Sequence, residues 1–141
     1  MYKRQKLKIR PQPSTKAALI ISKQASKNGF EWEKIDQIWD KLYEELEELK
    51  DALKNDNTSE AEAEIGDVLF TLINIARWNK ISLEEGLAKT NQRFLERLAY
   101  IEENIDSDLH SKSKKELNKY WKLAKINLNP VSYTHLRAHE T

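Results

Sequence analysis

The placement of proline constrains the fold of this chain more than any other feature. Proline occurs only at Pro11, Pro13 and Pro130. A proline inside a helix removes a backbone hydrogen bond and clashes with the preceding turn, so helix is permitted throughout residues 14–129. Apolar residues in the middle of the chain recur at the three-and-four spacing of a buried helix face. We therefore expect an all-α protein, a bundle of about five helices.

Local signals place the ends of these helices. Ser-x-x-Glu pairs begin at Ser59, Ser82 and Ser113 and are typical of capping boxes at helix starts. Gly29 suits the left-handed position that follows a helix end. The predicted helices run from about Ser14 to Asn28, Glu33 to Lys54, Thr58 to Asn79, Ser82 to Asn104 and Ser113 to Leu128.

The two ends of the chain resemble translated cloning sequence. Residues 2–5 and 131–134 can be encoded by one DNA segment in inverted orientation, and residues 131–141 resemble a translated transposon adapter used in sequencing libraries. We therefore predict that residues 1–5 and 131–141 are adapter-derived and that residues 6–130 form the domain. This interpretation leaves room for a further domain before Lys6. The alternative is a native basic arm and tail.

Composition narrows the class of protein. The chain has 24 basic and 23 acidic residues, and 39% of it is hydrophobic, which fits one soluble domain. This charge balance argues against a nucleic-acid binder, which needs a basic excess. Without cysteine there is no disulfide, thiolate metal site or thiol nucleophile. No apolar run approaches a membrane span and no signal-peptide pattern occurs, so we expect no membrane partner and a cytoplasmic location.

The second predicted helix places a carboxylate among apolar residues. Its apolar stripe includes Ile35, Ile38, Leu42, Leu46, Leu49 and Leu53. A second series at helical spacing, however, passes through Glu45, with Glu48 one turn further along the same side. Because burying an unpaired carboxylate is costly, this series predicts a bound cation or a dense hydrogen-bond shell at Glu45.

The third helix carries Glu64 and Asp67 at the same spacing. If helices two and three form an antiparallel pair that turns at Asp56, residue 45 faces 67 and residue 48 faces 64. Four carboxylates then meet at one level and repel one another. A divalent cation removes that conflict, and oxygen ligands suit Mg²⁺ or Mn²⁺.

These motifs resemble those of a known family. Glu44-Glu45-Leu46-Glu47-Glu48 and Glu64-Ile65-Gly66-Asp67 are similar to the E-E-x-x-E and E-x-x-D signature of all-α nucleoside triphosphate pyrophosphohydrolases. Residues 29–32, 65–70, 74–77, 91–94 and 121–125 resemble the catalytic C-terminal domain of MazG, although Arg93 stands where lysine is common and the first half of the two-domain protein is absent. The resemblance implies Mg²⁺-dependent hydrolysis of NTPs or dNTPs to the monophosphate and pyrophosphate by metal-activated water.

The resemblance also implies roles for individual residues. Glu45, Glu48, Glu64 and Asp67 are the expected metal ligands and catalytic residues. Arg93, Arg97 and Lys125 are expected to hold the triphosphate, with Lys41 as a further candidate. Trp121 would pack on the base or ribose, and Asn74 and Asn91 would make polar contacts to the nucleotide. Trp32, Trp39, Trp78 and His110 receive no role.

Other interpretations stay open at this point. The acidic residues could be a solvated face of a non-catalytic helical interaction module. Arg93 and Arg97 could form surface ion pairs with Glu96 or Glu102. A ferritin-like di-iron oxidase is disfavoured because the chain has no Glu-x-x-His pair.

The third helix also bears on assembly. Its apolar residues occupy more of the circumference than one buried stripe requires. Members of the resembled family form their bundles across subunits. We therefore expect a homodimer or a larger homo-oligomer.

Overall fold

The computed structural model describes residues 13–105 and 108–128, and within these ranges the chain is helical with no strand. The helices are α1 (Ser14–Lys27), α2 (Ile35–Lys54), α3 (Thr58–Trp78), α4 (Leu83–Asn104) and α5 (Lys114–Leu128), with a 3₁₀ turn at Leu109–Ser111. The prediction of an all-α chain with five helices is confirmed. Residues 1–5 and 131–141 lie outside the described ranges, so the adapter interpretation stays a prediction.

Two compact units make up the described residues, and they divide between Glu84 and Glu85. In the first unit, α2 and α3 pack along one another and α1 packs against α3. The turn between α2 and α3 places Asp56 in the left-handed region, with φ of 54°, and the backbone N–H of Asn57 donates to the carbonyl of Ala52. The helix pair is therefore the antiparallel hairpin expected to turn at Asp56.

The buried side of α2 follows the series that passes through Glu45. Its buried residues are Ile38, Leu42, Glu45 and Ala52. Only 4% of the surface of Glu45 is exposed. Leu46 and Leu53, which belong to the purely apolar stripe, are exposed instead. The prediction that Glu45 lies on the buried face is confirmed.

The ends of the helices show two of the predicted local signals and correct a third. Gly29 follows α1 with φ of +93°, as expected for a residue after a helix end. At the start of α5, the backbone N–H of Glu116 donates to Oγ of Ser113 over 3.2 Å, which confirms that cap. The cap predicted at Ser59 is wrong, because Asn57 takes that position and its Oδ1 accepts from the backbone N–H of Glu60 over 3.1 Å.

The second unit packs α4 against α5 through aromatic and polar side chains. The rings of Phe94 and Trp121 are 5.2 Å apart, and Asn127 Nδ2 donates to the Tyr100 hydroxyl over 2.9 Å. Ile101 and Ala124 are the buried residues of these two helices. Across the described ranges, none of the helices is long and apolar enough to cross a membrane.

Candidate metal centre and ligand cavity

Three carboxylates from α2 and α3 meet in the first unit. Glu45, Glu48 and Glu64 each offer an oxygen within 4.8 Å of the other two. Glu45 is buried, Glu64 is half-buried and Glu48 is exposed. We refer to these three residues as the carboxylate cluster. The hairpin thus brings together three of the four predicted ligands.

The electrostatics of the carboxylate cluster suit a bound divalent cation. The pKa of Glu64 is raised to about 7, first by its hydrogen bond with Glu45 and then by burial and by the charge of Glu48. Oε2 of Glu45 and Oε2 of Glu64 are buried and have no hydrogen-bond partner among the described residues. Oxygen atoms left in this way are costly in a protein interior. A divalent cation would satisfy them, so the residues fit such an ion.

Lys41 lies beside the carboxylate cluster. Its Nζ is 2.9 Å from Oε1 of Glu45 and 3.7 Å from Oε1 of Glu44. The hydrogen bond from Lys41 holds the pKa of Glu45 below its usual range, and the same bond raises the pKa of Lys41. The chain therefore supplies a positive charge to the most buried carboxylate of the cluster.

Asp67, the fourth predicted ligand, does not belong to the carboxylate cluster. It lies one turn beyond Glu64 on α3 and lines a cavity together with Glu45. The predicted pairing of residue 48 with 64 agrees with the cluster. Glu45, however, also lies close to Glu64. Packed helices tilt and rotate about one another, so their side chains do not meet at the positions expected from residue numbers alone.

The cavity has a volume of about 620 Å³, which is within the size range of small-molecule sites. We refer to it as the ligand cavity. Its walls come from α1, the segment 29–32, α2 and α3. Glu45, Asp67 and Lys41 are on its lining, and Phe30, Trp32 and Phe70 add aromatic surface. The ligand cavity therefore joins a polar, charged region to an aromatic one.

An ion pair links two walls of the ligand cavity. Nη1 and Nη2 of Arg77, on α3, donate to the two carboxylate oxygens of Glu31 over 2.6 and 2.7 Å. Ser26 on α1 donates to Glu31 Oε2 over 2.8 Å. These bonds, led by the one from Arg77, lower the pKa of Glu31 to about 2. A bidentate pair of this kind fixes the segment 29–32 against α3.

Ser22 and Asn74 continue this network. Arg77 Nε donates to Ser22 Oγ over 2.6 Å, and the Ser22 hydroxyl donates to Asn74 Oδ1. Ser22 is buried, and both residues line the ligand cavity. Of the predicted nucleotide contacts, Lys41 and Asn74 thus lie on the cavity lining.

The other predicted substrate residues belong to the second unit. The Arg97 guanidinium carbon lies 5.6 Å from the centre of the Trp121 ring, a cation–π contact. Burial, and then the charge of Arg93, lower the pKa of Arg97. Asn91 and Arg93 are exposed and Lys125 is half-buried. The structure thus brings Arg97 and Trp121 together within this unit.

Several residues of the ligand cavity were not predicted from the sequence. Arg77, Glu31 and Ser22 received no role, and Trp32, which was also given none, lines the ligand cavity. The segments that carry these residues, 29–32 and 74–77, were singled out, but Ser22 carried no signal. Trp39, likewise without a predicted role, is exposed and contacts Tyr43.

Fold and site together define an all-α protein with a cluster of three carboxylates, one of which, Glu45, also lines a ligand-sized cavity. Residues 33–100 match the MazG nucleotide pyrophosphohydrolase domain. Over these residues the chain belongs to the MazG family.

Similar proteins include two nucleoside triphosphate pyrophosphohydrolases and one uncharacterized protein. The chain is 35% identical over 116 residues to the nucleoside triphosphate pyrophosphohydrolase/pyrophosphatase MazG of Thermotoga maritima, which covers 80% of this chain and 44% of that protein. It is 33% identical over 92 residues to the nucleoside triphosphate pyrophosphohydrolase of Escherichia coli K12, which covers 64% of this chain and 35% of that protein. The uncharacterized protein YabN of Bacillus subtilis is 44% identical over 66 residues, 45% of this chain and 14% of that protein. The chain thus spans less than half the length of these relatives.

Proposed function

We propose that this chain hydrolyses nucleoside triphosphates, both NTPs and dNTPs, to the nucleoside monophosphate and pyrophosphate in the presence of Mg²⁺, with Mn²⁺ as a substitute. The observation that carries the proposal is the carboxylate cluster, whose buried Oε2 atoms on Glu45 and Glu64 have no hydrogen-bond partner among the described residues. The names of the Thermotoga and Escherichia relatives support the choice of substrate and reaction.

Four carboxylates would hold the cation in this proposal, namely Glu45, Glu48, Glu64 and Asp67. A bound divalent ion supplies positive charge against the phosphate oxygens and favours activation of water. Asp67 and Glu45 both line the ligand cavity, which supports their access to a triphosphate. One carboxylate of the set positions or deprotonates the attacking water.

The cationic side chains would bind the remaining phosphate charge. Lys41 is supported by its position on the cavity lining. Arg93, Arg97 and Lys125 rest on the family resemblance, and the contact of Arg97 with Trp121 supports a shared role for these two residues. Trp121 would pack on the base or ribose, and Asn74 and Asn91 would make polar contacts to the nucleotide.

We also propose that the chain works as a homodimer or larger homo-oligomer. Ile65, Leu69 and Leu72 follow one another at helical spacing on α3 and are exposed, Ile65 at 57%. A second copy would cover this apolar face, and two-fold symmetry is the commonest arrangement. The domain at residues 6–130 and a cytoplasmic location remain predictions.

Product analysis tests the proposed reaction. The purified chain should release pyrophosphate from a panel of NTPs and dNTPs with Mg²⁺ or Mn²⁺, and a chelator should abolish release. Orthophosphate as the sole inorganic product would contradict the proposal. A non-catalytic interaction module would release neither product, and its thermal stability would hardly respond to Mg²⁺.

A further inference from the structure

Within the ligand cavity, a directional chain of hydrogen bonds ends at Asn74. Arginine has only donors, so the bond from Arg77 Nε to Ser22 Oγ uses the hydroxyl as an acceptor. The single proton of the Ser22 hydroxyl is then directed to Asn74 Oδ1. The bidentate pair with Glu31 in turn holds Arg77 in place. We refer to Arg77, Ser22 and Asn74 as the amide relay.

The amide relay determines which end of the Asn74 side chain remains for a ligand. Its Oδ1 is taken by Ser22, whereas no hydrogen bond from its Nδ2 occurs among the described residues. Asn74 is half-buried and lines the ligand cavity. The side chain therefore offers the cavity two N–H donors and has its acceptor occupied.

The position of Asn74 along α3 indicates which part of a nucleotide it would meet. It follows Asp67 by seven residues, two helical turns, and so lies on the same face about 10 Å further along the axis. A triphosphate held at the carboxylates extends over such a distance toward its nucleoside. The aromatic residues Phe30, Trp32 and Phe70 also line this cavity and suit a flat ring.

We propose that the amide relay holds Asn74 as a hydrogen-bond donor to an acceptor atom on the nucleoside half of the substrate, with Ser22 and Arg77 as positioning residues. This inference rests on the proposed function for the identity of the ligand. In this role Asn74 acts toward the ligand only as a donor, and Ser22 keeps the Asn74 amide in that orientation.

Calorimetric binding separates this role from a purely structural one. The ligands are an NTP analogue with a methylene group between the α and β phosphates, and inorganic tripolyphosphate, which has no nucleoside, each with Mg²⁺. Ser22→Ala frees the Asn74 amide to rotate and should raise Kd for the analogue about threefold to tenfold. Asn74→Asp keeps the acceptor for Ser22 and loses the donor, so Kd should rise about tenfold to a hundredfold. Kd for tripolyphosphate should stay unchanged in both.

Ser26→Ala provides a matched control, because it removes a hydroxyl one turn along α1 that donates to Glu31 and not to Asn74. It should leave both Kd values as in the wild type. If Ser22→Ala does not fold, Asn74→Asp carries the test alone. Equal losses of analogue and tripolyphosphate, or no loss of either, would overturn the inference.

The outcome for the proposed function is distinguishable. A wild-type chain that binds the analogue and hydrolyses no NTP would refute the reaction, yet the variants would still decide the role of Asn74. A wild-type chain that binds no nucleotide at all would overturn both.

Discussion

Nζ of Lys41 lies 2.9 Å from Oε1 of Glu45, so the most buried member of the carboxylate cluster already has one cation of the chain beside it. Glu48 and Glu64 add further negative charge within 4.8 Å. A single lysine, whose side chain remains 40% exposed, does not neutralise three carboxylates. The contributions of Lys41 and of an added metal ion to the stability of the protein can therefore be measured separately.

Lys41→Gln should lower the stability of the metal-free protein by about 1–2 kcal/mol, because it leaves a buried carboxylate beside two like charges. Mg²⁺ should then raise the Tm of the variant more than that of the wild type. Lys50→Gln is the control, since Lys50 pairs with Glu47 on the same helix where both are exposed. Thermal melting with and without Mg²⁺ measures the difference, and equal increases in Tm would contradict the prediction.

Replacing the proposed ligands should separate activity from stability. Glu45→Gln, Glu48→Gln, Glu64→Gln and Asp67→Asn should each reduce pyrophosphate release at least about 100-fold. Without metal, Glu48→Gln and Glu64→Gln should fold as well as the wild type or better, because a repelling charge has been removed. Glu45→Gln should not gain stability, because it also loses the ion pair with Lys41. Glu62→Gln, an exposed change on α3, should leave both properties unchanged. Retained activity in any two of the four variants would remove the metal assignment.

The Glu31–Arg77 pair should make stability depend on pH. The folded-state pKa of Glu31, about 2, lies below the usual 4.5, so its contribution is present above pH 4.5 and is lost as the pH falls toward 2. Glu31→Gln should therefore lower stability by about 1–2 kcal/mol at pH 7, with the gap closing between these two pH values. Urea unfolding across this range measures the gap. Glu33→Gln, an exposed change two residues away, should show a small effect throughout, and a constant gap for Glu31→Gln would contradict the prediction.

Assembly can be tested by light scattering at micromolar concentration. We expect a mass of at least twice the 16.6 kDa of the chain. Ile65→Lys should shift the mass toward the monomer, because it places a charge in the apolar face of α3. Leu53→Lys, at a similarly exposed apolar position on α2, should not. A wild-type mass near 16.6 kDa with full activity would rule out the dimer.

Trimming tests the predicted domain boundaries. Removal of residues 1–5 and 131–141 should leave turnover unchanged, because adapter-derived residues have no selected contacts to lose. Steady-state pyrophosphate release by the trimmed and full chains provides the comparison. A large drop would show that these residues contribute to the native protein.

Much of the helical framework could be predicted from the sequence because it depends on local interactions. The starts and ends of α1 to α5 lie within two residues of the predicted ones. The burial of Glu45 also followed from spacing, since residues three and four apart share a helix face. The cap at the start of α3 was predicted at the wrong residue, because Asn57 and Ser59 can both act as helix caps. Since α3 begins at Thr58, Asn57 takes the cap position.

The sequence by itself determined five helices, a hairpin at Asp56 and a carboxylate on a buried face, because each depends on residues a few positions apart. Only the tertiary structure decided that Glu45, Glu48 and Glu64 group together while Asp67 lines the ligand cavity, and that Arg77 meets Glu31 across 46 positions of the chain. These contacts depend on the rotation and tilt of each helix about its neighbour. Helical spacing constrains which face is buried, but packing against a distant segment sets where on that face each side chain ends.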